Sequence, residues 1–261
     1  MSFDRELQTL AGPALSMDFF LVPWDTQVFG FPVAQINAFK LKNGGDSAGI
    51  YRRFEDWRDG QNIRIVSCKL DHFALRESMF LEARGFRFVE MVYRPSLSLK
   101  HANFPDSELR IEHARPADLP EIEAIAGSAF DTGRYLLDWR LDSQHSHLRY
   151  RNWLRNSAVS ADQEVLTASA NGEIVGFFII EKRPDDSVYW HLTAIAAHQR
   201  GRGLGKQLWR AMALRAWREG ATRVETTISA HNLPVINLYA QLGFRFDSAQ
   251  MTLHWLQEMQ S

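Results

Sequence analysis

The sequence predicts a mixed α/β fold in two parts, and three observations carry that reading. Apolar runs that read as strands recur, among them residues 165–170 and 173–182, which flank Asn171-Gly172, the strongest short hairpin signal. Helical periodicity lies between strands, most clearly at Leu204, Leu208, Met212 and Ala216, which recur every four residues along one face. A glycine-rich stretch, residues 199–206, joins an apolar run at 191–197 to that helix.

Composition sets the bounds. The 261 residues suffice for one large or two small domains with a sizeable core. Lys and Arg number 30 against 31 Asp and Glu, so nothing points to nucleic acid or a polyanion as partner. The single Cys68 excludes an intrachain disulfide framework and a thiolate zinc site, and it fits a reducing compartment. Asp4, Arg5 and Glu6 are followed by no uninterrupted apolar stretch, which speaks against a signal peptide. No run approaches the roughly 18 apolar residues of a membrane helix. A cytoplasmic protein with no membrane partner is expected. His145 and His147 have no further ligand at metal spacing and read as surface residues, so no metal is expected.

In chain order, the first 108 residues are the less legible part. Residues 101–107, with Asn103, Pro105 and Asp106, read as a linker. After it come a strand at 109–113 and a helix at 116–130 with Leu119, Ile122, Ile125 and Ala126 on one face. Residues 130–146 are polar and aromatic without sustained period, and 148–157 read as a second helix. Within the hairpin, the apolar run 176–180 suits a central strand. Pro184-Asp-Asp turns the chain into a strand at 188–196, followed by the helix at 204–217 and a strand at 223–228. Val235, Leu238 and Leu242 mark a final helix ended by Gly243, and a strand at 251–256 is expected to close the sheet.

The glycine-rich stretch carries the chemistry. Gly201, Gly203 and Gly205 alternate with Arg202 and Leu204, so backbone N–H groups can approach a ligand with no Cβ in the way. The helix behind them presents unpaired N–H groups worth roughly half a positive charge. Arg200, Arg202 and Lys206 add full charges, and the ligand expected is a phosphate or pyrophosphate. A nucleotide-hydrolase loop needs four residues between its Gly and Gly-Lys, then Ser or Thr. Here three residues separate Gly201 from Gly205, and Gln207 follows Lys206. A dinucleotide loop needs a glycine where Lys206 stands, although Glu225 lies about 20 residues on, where a ribose-binding acid belongs. A turn that merely connects strand to helix is the plain alternative.

Arg200-Gly-Arg-Gly203-Leu-Gly205 resembles the pyrophosphate loop of the GNAT acetyltransferases, Gln/Arg-x-x-Gly-x-Gly/Ala. Thr193-Ala-Ile-Ala-Ala197 resembles that family's fourth strand, with Ala197 in place of a common proline. Asn232-Leu-Pro-Val-Ile-Asn-Leu-Tyr239-Ala-Gln-Leu-Gly-Phe244 resembles its closing Asn…Leu-Tyr-x-x-Leu-Gly-Phe signature. The resemblance covers about residues 109–256. It implies a GNAT fold, a mixed and mostly antiparallel sheet flanked by helices, in a catalytic domain at 109–261. In the first half, Gly85-Phe-Arg-Phe88 repeats as Gly243-Phe-Arg-Phe246, each after a helix and before a strand. Residues 1–108 are therefore expected to form a smaller, degenerate GNAT-like α/β domain without the loop. Trp24-Asp-Thr-Gln-Val-Phe29-Gly-Phe31, Phe130-Asp-Thr-Gly-Arg134-Tyr and Tyr150-Arg-Asn-Trp153-Leu are similar to the TDP-fucosamine N-acetyltransferases. Those enzymes acetylate the amine of a nucleotide-linked amino-deoxysugar.

The resemblance implies acetyl-CoA as cofactor, held by residues 200–206, by the main chain of Ala194, Ile195 and Ala196, by Asn232 and by Tyr239. The Ile195 N–H would hold the acetyl carbonyl, and Tyr239 would protonate the departing thiolate. For Tyr239 the alternative is an aromatic packed against the sheet; for Asn232 it is a helix N-cap ahead of Pro234. Glu181 and His191, on neighbouring strands, are candidates for the base, and Arg134, Tyr135 and Trp139 for the acceptor site. The expected activity is N-acetylation of a nucleotide-linked amino sugar. Acetylation of a peptide N-terminus, lysine or polyamine is the alternative within enzymes, and a non-catalytic acyl-CoA sensor the one outside them. A homodimer is compatible with all three.

Overall fold

A computed structural model describes residues 6–100, 104–106 and 108–257; Asp4, Arg5 and residues 101–103 and 107 of the expected linker lie outside these. The chain divides into two compact units. One comprises residues up to 92 together with those from 249 onward; the other comprises residues 93–248. The units interleave along the sequence, whereas the boundary expected from the sequence lies at residues 108/109.

The first unit contains β1 (Gln8–Ala11), β2 (Leu15–Leu21), α1 (Pro23–Phe29), β3 (Val33–Leu41), α2 (Ser47–Gly60), β4 (Ile65–Asp71) and α3 (Leu75–Glu82). The chain leaves it through β5 (Arg87–Ser98). Period-two alternation on β2 sends Leu15, Met17 and Phe19 into the core, where they meet Tyr51 and Phe54 of α2. Asp46 caps α2, its side chain accepting from the Gly49 N–H at 3.0 Å.

The second unit contains β6 (Arg110–His113), a 3-10 turn (Pro116–Asp118), α4 (Leu119–Ala129), α5 (Arg134–Leu137), α6 (Ser143–Ala158), β7 (Glu164–Ala170), β8 (Glu173–Lys182) and β9 (Ser187–Ile195). It continues with α7 (Leu204–Arg218), β10 (Arg223–Thr226), β11 (Ile228–Ser229) and α8 (Leu233–Leu242), after which β12 (Arg245–Leu256) leads back to the first unit. Its strands run in the order β5-β10-β9-β8-β7-β6. The apolar run on β8 is buried on both faces: Phe178 and Ile180 join the core under α7, Phe177 and Ile179 the core under α4 and α6.

Three expectations are corrected. The segment 130–146 is not irregular throughout, because α5 forms within it and α6 begins at Ser143. Asp142 starts α6 early, its side chain accepting from the Gln144 N–H at 2.9 Å. The strand expected at 223–228 is broken at Thr227. Lastly, residues 251–256 do not close the sheet of the second unit. They pair antiparallel with β4, Met251 opposite Leu70 and Leu256 opposite Ile65, giving the first unit the order β1-β2-β3-β4-β12. Met251 and Leu253 alternate into that unit's core, and this burial fixes the register.

The repeated Gly-Phe-Arg-Phe proves to be one closure made twice. Gly85 and Gly243 adopt left-handed φ of 89° and 87°. Phe86 then donates its N–H to the Leu81 carbonyl, and Phe244 to that of Tyr239, at 3.2 and 3.0 Å. This is the bond that ends a helix through a left-handed residue, and the buried phenylalanine pins it.

Candidate active site

Every group of the site belongs to the second unit. Gly201 and Gly203 take φ of 75° and 76°, conformations that strain L side chains, and open space lies where their Cβ atoms would stand. Gly203 is the N-cap of α7 and has no side chain to satisfy the first-turn N–H groups. Those donors face a cavity of about 600 Å³ lined by the loop, by Thr193, Ala194 and Ile195 of β9, and by Asn232 and Leu238 of α8. Arg200 and Lys206 line it as well; Arg202 does not, and lies within 3.4 Å of Gln199 Oε1. Arg200 also donates to the Ala129 carbonyl at 3.2 Å, tying the loop to the end of α4.

Strand β9 opens the sheet beside this loop. Its parallel ladder with β10 ends where Thr226 faces Trp190, so residues 191–195 have no strand partner on that side among the described residues. On the other side, Ala196 donates to Val175 at 2.9 Å while Ile195 lies opposite Gly176. Antiparallel pairs alternate between bonded and non-bonded, so the Ile195 N–H is directed away from β8, toward the gap. Ala196 itself is buried and spends its N–H on the ladder.

Asn232 caps α8, its side chain accepting from the Val235 N–H at 3.3 Å, and it also faces the cavity. Tyr239 is 4% exposed and stacks on Phe244 at 4.5 Å. Burial pushes its phenol up from the ordinary value, and the nearby Trp209 indole works against that rise. Among the described residues the indole Nε1 has no partner at hydrogen-bond geometry.

Glu181 and His191 come together, with His191 Nε2 2.7 Å from Glu181 Oε2. Desolvation holds the imidazole below its ordinary pKa; Glu181 opposes this and Arg183 adds to it. A carboxylate can only accept, so the neutral ring carries its proton on Nε2 and keeps the Nδ1 lone pair. Arg183 lies 3.5 Å from Glu181 and 2.8 Å from Glu225, and stacks over Tyr189, whose hydroxyl bonds Thr227. Trp153 of α6 meets the His191 ring at 6.1 Å. Arg149 stands 5.3 Å from the Trp153 ring and 5.6 Å from that of Tyr135, over which Arg134 also lies at 4.7 Å. Trp139 is 88% exposed in the turn after α5 and takes no part in these ring contacts.

Residues 132–244 match the Acetyltransferase (GNAT) family. An L-2,4-diaminobutyric acid acetyltransferase from Nocardia farcinica is 31% identical over 60% of this chain and 84% of its own length. The chain belongs to the GNAT acetyltransferase family. A dTDP-fucosamine acetyltransferase from Escherichia coli O6:H1 is 25% identical over 67% of this chain and 73% of its own length. Among solved structures, a GCN5-related N-acetyltransferase from Sphaerobacter thermophilus matches with a TM-score of 0.65 at 12% identity. That match covers 94% of this chain and 81% of the other, so the GNAT fold expected from the sequence extends over both units.

This GNAT protein is an acetyl-transferring enzyme, and its family uses acetyl-CoA. The residues present fit that cofactor: an uncapped helix N-terminus, two left-handed glycines open to a cavity, and a strand free along one edge. Sequence reasoning missed Trp209, which lies one residue off the apolar stripe of α7, and Arg183, Tyr189 and Arg149, which no motif marks. Only the register between β8 and β9 brings Arg183 and Tyr189 to His191, and only the packing of α6 brings Arg149 to the Trp153 ring that meets it. Among the described residues no group of three or more His, Cys, Asp or Glu could hold a metal ion, and no helix is long and apolar enough to cross a membrane.

Proposed function

We propose that this enzyme moves the acetyl group of acetyl-CoA to a primary amine of a nucleotide-linked amino-deoxysugar. The cofactor supplies an acetyl carbon activated as a thioester. Arg200, Lys206 and the first N–H groups of α7 bind its diphosphate, while Asn232 and the free edge of β9 hold its arm. The Ile195 N–H polarises the acetyl carbonyl. His191, oriented by Glu181, takes a proton from the acceptor ammonium at Nδ1. Tyr239 delivers its own proton to the departing sulfur.

The observation that carries the choice of acceptor is the run of contacts that leads from that base through the Trp153 ring to Arg149, Tyr135 and Arg134. Guanidinium groups suit a diphosphate, and the half-buried Trp153 ring suits a sugar or base, while the buried Tyr135 ring sits against the two arginines. A small diamino acid is the second reading, favoured by the Nocardia farcinica relative, since one arginine suffices for a carboxylate. Release of free thiol from acetyl-CoA, measured with a dTDP-amino sugar, with 2,4-diaminobutyrate and with a polyamine, separates these. Turnover with the nucleotide sugar is expected; turnover confined to either of the others overturns the proposal.

A further inference from the structure

Trp209 is nine-tenths buried and yet lines the cavity beside the phosphate loop. Its ring packs edge-on against Phe178 at 5.6 Å, which accounts for its bulk but not for its nitrogen. The Nε1–H is buried with no acceptor among the described residues, an uncommon condition for so strong a donor. Burial raises the Tyr239 phenol above its ordinary value, and this indole and the Thr226 hydroxyl lie near enough to work against that rise, with Tyr189 as a titratable neighbour. Thr226 donates its proton to the Trp190 carbonyl at 2.8 Å and is committed there. An indole can only donate. A protonated phenol therefore offers Trp209 only a weak acceptor, whereas a phenolate offers a strong one.

We infer that Trp209 is a positioning residue whose indole N–H receives the negative charge left on Tyr239 when the phenol gives up its proton. The inference rests on the reading of Tyr239 as the acid. The step balances: the electron pair of the breaking C–S bond goes to sulfur, the Tyr239 proton follows it, and the charge stays on the phenolate oxygen beside Nε1–H. A solvent proton then restores the phenol. The unmet donor of the resting state is thus met only during transfer, which is where stabilisation accelerates a reaction.

Trp209→Phe keeps a ring against Phe178 and removes the donor. Without any cofactor, alkaline titration of tyrosinate absorbance, taken as the difference from Tyr239→Phe, reads the Tyr239 ionisation directly. Losing a hydrogen bond to a charged group is expected to move it up by about 1–2 pH units. With substrates, kcat should fall about tenfold or more at unchanged KM for acetyl-CoA, and the substitution should add nothing on top of Tyr239→Phe. An unmoved titration, or an equal loss of kcat in both backgrounds, overturns the inference and leaves Trp209 as packing. If Tyr239→Phe leaves kcat unchanged, the acid reading itself fails and takes the inference with it; a titration shift without any rate effect identifies that case. If Trp209→Phe does not fold, the indole N–H proton resonances of the wild-type protein decide. One of them should follow the Tyr239 titration and lose that dependence in Tyr239→Phe; if none does, the inference is wrong.

Discussion

A carboxylate 2.7 Å from an imidazole ordinarily makes the ring easier to protonate, but at His191 desolvation outweighs it. The neutral ring is the form that can accept a proton, so activity is lost as pH falls through its folded pKa. Because that pKa is depressed, the acid limb of kcat/KM is expected below pH 6.5, the ordinary value. Glu181→Gln removes the group that favours the imidazolium, while Arg183 continues to disfavour it, so the limb should move further down. His191→Ala should lower kcat about 100-fold or more. A limb at or above the ordinary histidine value would refute the assignment. The residue types here were legible one by one, as a glutamate and a histidine on neighbouring strands. Their bond was not legible, because a bulge in the ladder between Ile179 and Ile180 shifts the register on which it depends.

At the scale of the element, the loop and α7 separate two kinds of glycine. A Cβ at Gly203 meets no atom but must be carried at φ 76°, whereas a Cβ at Gly205 sits in ordinary contact, 3.6 Å from Ile195 and Leu238. Gly203→Ala should therefore cost about 1–2 kcal/mol of stability and weaken acetyl-CoA binding. Gly205→Ala, inside the helix, should gain up to about 1 kcal/mol and leave binding intact. Thermal denaturation and calorimetric titration with acetyl-CoA check both; equal losses would show that the loop is not built as described. This junction was readable from residue order alone, since strand, glycines, charges and helix are contiguous. By contrast α5, four residues long, is too short to show a period. The start of α6 is polar, with the cap at Asp142 as its only signal. Its first apolar residue is Leu148, so periodicity places the helix late.

At the scale of the whole molecule, the sequence conveyed which segments are strands better than which strands are neighbours. Residues 251–256 were legible as a strand, but adjacency to α8 in the chain did not point to β4 as its neighbour. Nothing local in Met251, Leu253 or Trp255 distinguishes one apolar face from another; only closure of the first unit's core does. Leu253 is fully buried there, so Leu253→Ala is expected to cost about 2–5 kcal/mol, read as a lower denaturant midpoint. A cost under about 1 kcal/mol would contradict the pairing of β12 with β4.

That pairing has a consequence for biosynthesis. As the nascent chain emerges, β4 appears well before its antiparallel neighbour, with the helices of the second unit made between them. Until β12 has been made, one side of β4 presents unmatched amides and carbonyls, an invitation to aggregation that chaperones would have to shield. Internal deletion of β12 should therefore leave the acetyl-CoA loop untouched and still yield inclusion bodies.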